Sequence, residues 1–176
     1  MRWDALFADM ELQLGAAEVV DRLADVAELT RAERGAVELV DRLRAAVGGA
    51  VTLWLGHGVL RGVLSDVGPA WLLLADAGRE HLVPLSAVAS VSGVGATSAA
   101  PAGEALRRLG LAHALRAVSR DRGVVRVVTH VGAVDGRIDE VGQDHLGLAL
   151  VHPDSPRPTG EVRLVPFAAL QVVSSL

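Results

Sequence analysis

The side chains that could do chemistry in this chain are six histidines, a cluster of carboxylates and one glycine-bounded loop. His57, His81, His113, His130, His145 and His152 include no pair at the i, i+4 spacing that sets two imidazoles on one helix face, and none has an acidic co-ligand pattern close by. His130, His145 and His152 could approach one another, but the spacing predicts turn and surface histidines. Asp135, Asp139 and Glu140 crowd one bend, and the even spacing of the two aspartates puts them on one strand face, as paired acid/base carboxylates would be. No flanking pattern marks a pocket around them, so they read as a solvated face. Ser86 lacks a Gly-x-Ser-x-Gly elbow. Gly56-His57-Gly58-Val59-Leu60-Arg61-Gly62 has the glycine density of a phosphate loop, yet such a loop needs a following helix N-terminus to supply free N–H donors, and a strand pattern follows here. The run reads as a hairpin turn. The chemistry-bearing residues therefore predict no catalytic residue, no metal site, no cofactor and no small-molecule substrate.

Composition narrows the class further. A chain of 176 residues holds one ordinary domain or two small ones. It has no cysteine, which excludes a disulfide framework and a thiolate site and fits a reducing cytoplasm. Lys, Asn and Tyr are also absent and Ile138 is the single isoleucine, a bias that points to GC-rich coding and a bacterial source. A net charge of −4 gives no general attraction to nucleic acid. Acidic residues interrupt the N-terminus by Asp4, Asp9 and Glu11, so no secretory signal is expected, and no stretch reaches the roughly eighteen apolar residues of a membrane span.

The elements that position these residues come in two copies. Leu82-Val83-Pro84-Leu85-Ser86-Ala87-Val88 reappears as Leu164-Val165-Pro166-Phe167-Ala168-Ala169-Leu170. Gly62-Val63-Leu64-Ser65-Asp66-Val67-Gly68 answers to Gly136-Arg137-Ile138-Asp139-Glu140-Val141-Gly142, and Leu72 and Leu74 answer to Leu146 and Leu148. The offset widens before the proline motif, so the second copy carries an insertion, the Pro-rich hairpin tip around His152–Thr159. Three-and-four spacing predicts a helix from Trp3 to about Leu29; Thr30-Arg31-Ala32-Glu33 has the form of a capping box for a second, running to Val47 and stopping at Gly48-Gly49. From Ala50 the period is two, predicting five short strands to Val91, with Gly62 as a bend. A linker from Ser92 to Gly103, a helix from Glu104 to Ser119, and five more strands follow. The expected fold is α+β: two tandem five-stranded bent barrels, each preceded by a helix. Its boundaries are an N-terminal helical arm over 1–47, a first barrel over 48–95, a linker and helix over 96–120, and a second barrel over 121–176.

The run Val51-Thr52-Leu53-Trp54-Leu55-Gly56-His57-Gly58-Val59-Leu60-Arg61-Gly62-Val63-Leu64, with a helix before it and a Leu-x-Leu strand after, resembles the Sm and Sm-like small β-barrel family. The resemblance covers about residues 40–95 and, more weakly, 113–174. It implies a small closed barrel and, for a family member, single-stranded RNA as a partner. Family members place an Asp and an Asn in the loop between strands two and three, and a basic residue between strands four and five. The loops here are Val67-Gly68-Pro69-Ala70-Trp71 and Val141-Gly142-Gln143-Asp144-His145, and the later segments are Val83-Pro84-Leu85 and Val165-Pro166-Phe167. Arg61 and His145 are left as the candidate nucleic-acid contacts.

Strand alternation supplies a different candidate. If Leu72 and Leu74 point inward, Trp71 and Leu73 point outward, and Trp54 does likewise beside Leu53 and Leu55. An apolar exterior of this kind needs a cover, from the N-terminal helix, from the second barrel or from another subunit. Trp54, Trp71 and Leu73 form the candidate partner surface. Two functions stay open: a non-enzymatic cytoplasmic scaffold that binds a protein partner or itself, probed by solution mass, and an RNA-binding protein of Sm-like type, probed by salt-sensitive binding.

Overall fold

Val51, Leu53 and Leu55 are buried and Trp54 is exposed along the first strand, the period-two burial that the sequence shows from Ala50 onward. The computed structural model describes residues 37–100, 109–152 and 155–176, together with Gly35 and Gly103. The arm expected over Trp3–Leu29, the capping motif at Thr30–Glu33 and the start of the helix expected from Glu104 lie outside the described residues. The chain divides into two compact units, Met1–Glu38 and Leu39–Leu176, and all the described strands lie in the second.

Helix α1 (Leu39–Ala45) leads into β1 (Ala50–Leu55), β2 (Gly58–Val67), β3 (Trp71–Asp76), β4 (Arg79–Pro84), a 3-10 turn (Leu85–Ala87) and β5 (Val88–Ser92). Helix α2 (Leu111–Arg120) leads into β6 (Val125–Thr129), β7 (Gly132–Val141), β8 (His145–His152), β9 (Ser155–Pro166), a second 3-10 turn (Phe167–Ala169) and β10 (Leu170–Ser175). The duplication read in the sequence extends to the backbone irregularity at the bend of each half. β2 and β3 slip register between Leu64 and Asp66, and β7 and β8 slip at the matching Ile138 and Glu140. A Cβ on Gly62 would stand 2.7 Å from the Ala75 carbonyl oxygen, and one on Gly136 would stand 2.6 Å from that of Ala149, so each bend brings two backbones too close for any side chain. Pro84 and Pro166 both enter their 3-10 turns at φ −61°.

The two closed five-stranded barrels do not form. The strands make one ten-stranded sheet in the order β5-β1-β2-β3-β4-β10-β6-β7-β8-β9, antiparallel throughout. Closure would require β5 to bond β4 and β10 to bond β9. Instead the free edge of β4 is taken by β10, with Leu82 opposite Val173 and His81 opposite Ser174. An unpaired strand edge pairs with whatever complementary edge is held within reach, and periodicity along a strand does not say which edge that will be.

The cores cross this seam. One cluster gathers Leu43, Val51, Leu53, Leu64, Leu72, Leu74 and Val83 from the first half and takes Val172 from the second. The other gathers Leu115, Val127, Ile138, Leu146 and Leu148 from the second half and takes Trp71 and Leu82 from the first. Leu43 and Leu115, at matching places in α1 and α2, are fully buried. Each such leucine contributes about 1.5–3 kcal/mol relative to exposure. The two repeats are thus joined by a shared sheet and shared core residues.

Candidate functional site

Trp54 is 40% exposed on β1, between Val59 and Ser90 of the flanking strands. Trp71, expected on the outside, is buried at 9%: its indole joins the second core and its Nε1–H donates to the Leu109 carbonyl at 2.8 Å. Leu73 also packs against that core. Alternation points both residues away from the first core; the second half buries Trp71 and leaves Leu73 half-buried. Gly68 makes room for the Trp71 ring, since a Cβ there would collide with the indole.

The RNA candidates are apart. Arg61 is exposed on β2 opposite Thr52 and borders a shallow hollow that Asp76 also lines. His145 begins β8 in the other half, and its Nδ1 lies 2.8 Å from Asp144 Oδ1. Arg126 donates to both carboxylate oxygens of Asp135 at 2.8 and 2.7 Å, and these bonds hold the Asp135 carboxyl below its ordinary range. Asp139 falls inside the register slip of β7, so it does not continue a regular face with Asp135. The glycine-bounded loop is the β1–β2 hairpin, with Leu55 paired to Gly58. Among the described residues no three of His, Asp or Glu converge as metal ligands would, and no helix is long and apolar enough to cross a membrane.

What strand periodicity missed is the seam and the two edges it leaves. At the seam the Glu80 N–H donates to Ser175 Oγ at 2.8 Å, and His81 Nδ1 meets Ser174 Oγ at 2.8 Å. A cavity of about 400 Å³ lies beside it, walled by Leu73, Leu82, Val118, Val125 and Val173. The ends of the sheet are β5 and β9. On β9, Leu164 is 62% exposed and Val162 60%, whereas Leu82, at the place in the repeat that Leu164 occupies, is 3% exposed. The same residue type at the same register, Leu73 opposite Leu82 and Gly147 opposite Leu164, is buried where a strand has been added and bare where none has. The signal was present in the repeated Leu-Val-Pro motif, but it takes the strand order to show that one copy is internal and the other is an edge.

No protein-family model matches the chain, and no curated protein matches it.

Proposed function

We propose that this chain is a non-enzymatic scaffold that binds protein through the open β9 edge of its sheet. The observation that carries this reading is the contrast between Leu164 at 62% exposure and Leu82 at 3%: a leucine that the fold covers with an added strand in one repeat stands uncovered in the other. Edge strands that present unpaired N–H and C=O groups beside an apolar row accept a further strand, the backbone supplying affinity and the alternate side chains specificity. Val162 and Leu164 lie two apart and so share a face. Absence of cysteine and a net charge of −4 support a cytoplasmic setting and a protein partner in preference to nucleic acid.

The test is amide hydrogen exchange across Glu161–Val165 with and without an extended peptide of alternating Val and Thr. Strand addition will slow exchange in this segment and leave the β1–β2 hairpin unchanged. Equal exchange in the two samples would refute the edge as a binding element.

A further inference from the structure

The cavity beside the seam is floored by four adjacent strands, β3, β4, β10 and β6. Leu82 lies opposite Leu73 on one side and Val173 on the other, and the next row along the sheet carries Glu80 and Ser175, with Ser175 opposite Val125. Alternation turns Glu80 and Leu82 to this face and gives Arg79 and His81 the other. Val118 and Asp121, at the end of α2, complete the wall. Its volume of about 400 Å³ lies within the roughly 300–1,000 Å³ of small-ligand pockets. The walls come from stretches as far apart as Leu73 and Ser175, so no local sequence pattern marks the site.

The charge around this apolar space is of one sign. Glu80 and Asp121 line it, no Arg or His does, and among the described residues neither carboxylate is in an ion pair with a base. The Glu80 N–H donates to Ser175 Oγ at 2.8 Å, which fixes the β4 backbone at the rim. Asp121 is the C-cap of α2, where the negative end of the helix dipole opposes a carboxylate. A cation held there would meet the carboxylate and the last helix carbonyls together. Glu80 stands where the other copy has Val162, so the repeat does not require an acid at this position. We infer that the cavity binds a small apolar amine, its hydrocarbon body against Leu73, Leu82, Val118 and Val173 and its ammonium at Glu80 and Asp121. An anion would face two carboxylates and a helix C-terminus, and a neutral ligand would forgo the charge-assisted bonds. This site is separate from the β9 edge.

Three probes that share one apolar body and differ only in the head group test this: phenylbutylamine, phenylbutanol and phenylbutanoate, titrated into the full chain at neutral pH. Leucine and valine methyl resonances report where each binds. The amine will shift the methyls of Leu82 and Val173 and leave those of Leu53 and Leu164 in place. It will bind about fivefold tighter than the alcohol, and the carboxylate will bind more weakly than either. Glu80 and Asp121 are exposed, so Glu80→Gln with Asp121→Asn keeps the fold. In that double variant the amine will fall to the affinity of the alcohol, whose own binding will not change. Equal binding of amine and alcohol, a preference for the amine that survives the double variant, shifts outside the cavity, or no shifts at millimolar amine each overturns the site. Leu164→Arg will leave the amine titration unchanged, so failure at the cavity and failure at the β9 edge are read separately.

Discussion

His81 Nδ1 stands 2.8 Å from Ser174 Oγ across the seam, one residue from each half of the sheet. His81 is buried, and burial pushes its imidazole below the ordinary value; Asp76 opposes this and Arg79 adds to it. A polar pair therefore sits inside the shortest strand contact in the fold, between the leucine–valine pair and the Glu80–Ser175 bond.

Stability should consequently depend on pH in the range where histidine titrates. The folded-state value of His81 lies below the unfolded value of about 6.5. Below about pH 6.5 the unfolded chain binds the proton more readily, so stability falls as the solution is acidified, and above that pH the full contribution is present. Urea midpoints between about pH 5 and 7.5 should rise with pH and then level, and His81→Gln should flatten the rise. A slope of the same size in the variant would assign the effect to other groups. Asp135, whose value is lowered by Arg126, acts in a separate window at and below the ordinary carboxylate range.

Two leucines at one repeat position should respond in opposite ways. Leu82→Ala leaves a void between the seam and the second core and should cost about 2–5 kcal/mol. Leu164→Ala, measured at low protein concentration, should stay within about 0.5 kcal/mol, because its side chain is 62% exposed. Denaturant unfolding of the two variants checks this, and equal losses would mean that Leu164 is covered within its own chain.

How far the sequence could be read follows from these positions. Period-two patterning placed β1 and β3 correctly because Leu53, Leu72 and Leu74 carry a strong alternation, and the glycines at 62 and 136 marked true bends. The repeat extends to the lead-in helices, where Leu43-Arg44-Ala45 of α1 recurs as Leu115-Arg116-Ala117 of α2. Closure into barrels was not legible, because a strand's own sequence specifies which face is apolar and leaves its two edges chemically alike. Trp71 was placed correctly on the far side of its strand from the first core, yet what covers that side is the core of the second half, and its indole N–H donates to the carbonyl of Leu109, 38 positions away.

The two bend glycines should be intolerant to the smallest side chain. In Gly136→Ala the new methyl would meet the Ala149 carbonyl oxygen at 2.6 Å and Leu148 Cγ at 2.7 Å; in Gly62→Ala it would meet the Ala75 carbonyl oxygen at 2.7 Å. Backbone cannot swing aside as a side-chain tip does, so each substitution should cost about 1–3 kcal/mol. Gly123→Ala, with open space around the added carbon, should change stability by less than about 0.5 kcal/mol. Thermal or urea melts of the three variants distinguish a steric bend from a general preference for glycine.

Single-stranded RNA should bind weakly and with little dependence on salt. The two candidate contacts lie on different halves of the sheet, and each has an acid nearby: Asp76 borders the Arg61 hollow and Asp144 holds the His145 ring. A strand of RNA neutralised at several phosphates loses affinity with a slope of about −0.7 per phosphate against the logarithm of salt concentration. This chain, with a net charge of −4, should show a slope near zero in fluorescence polarisation between about 50 and 200 mM salt, and Arg61→Ala should leave the titration unchanged. Tight binding that weakens steeply over this range, and weakens further in Arg61→Ala, would overturn the proposed protein-binding role in favour of RNA binding. The edge residues give the complementary control, since Leu164→Arg adds a charge at β9 without touching Arg61 or His145, and a gain in RNA affinity there would report charge alone.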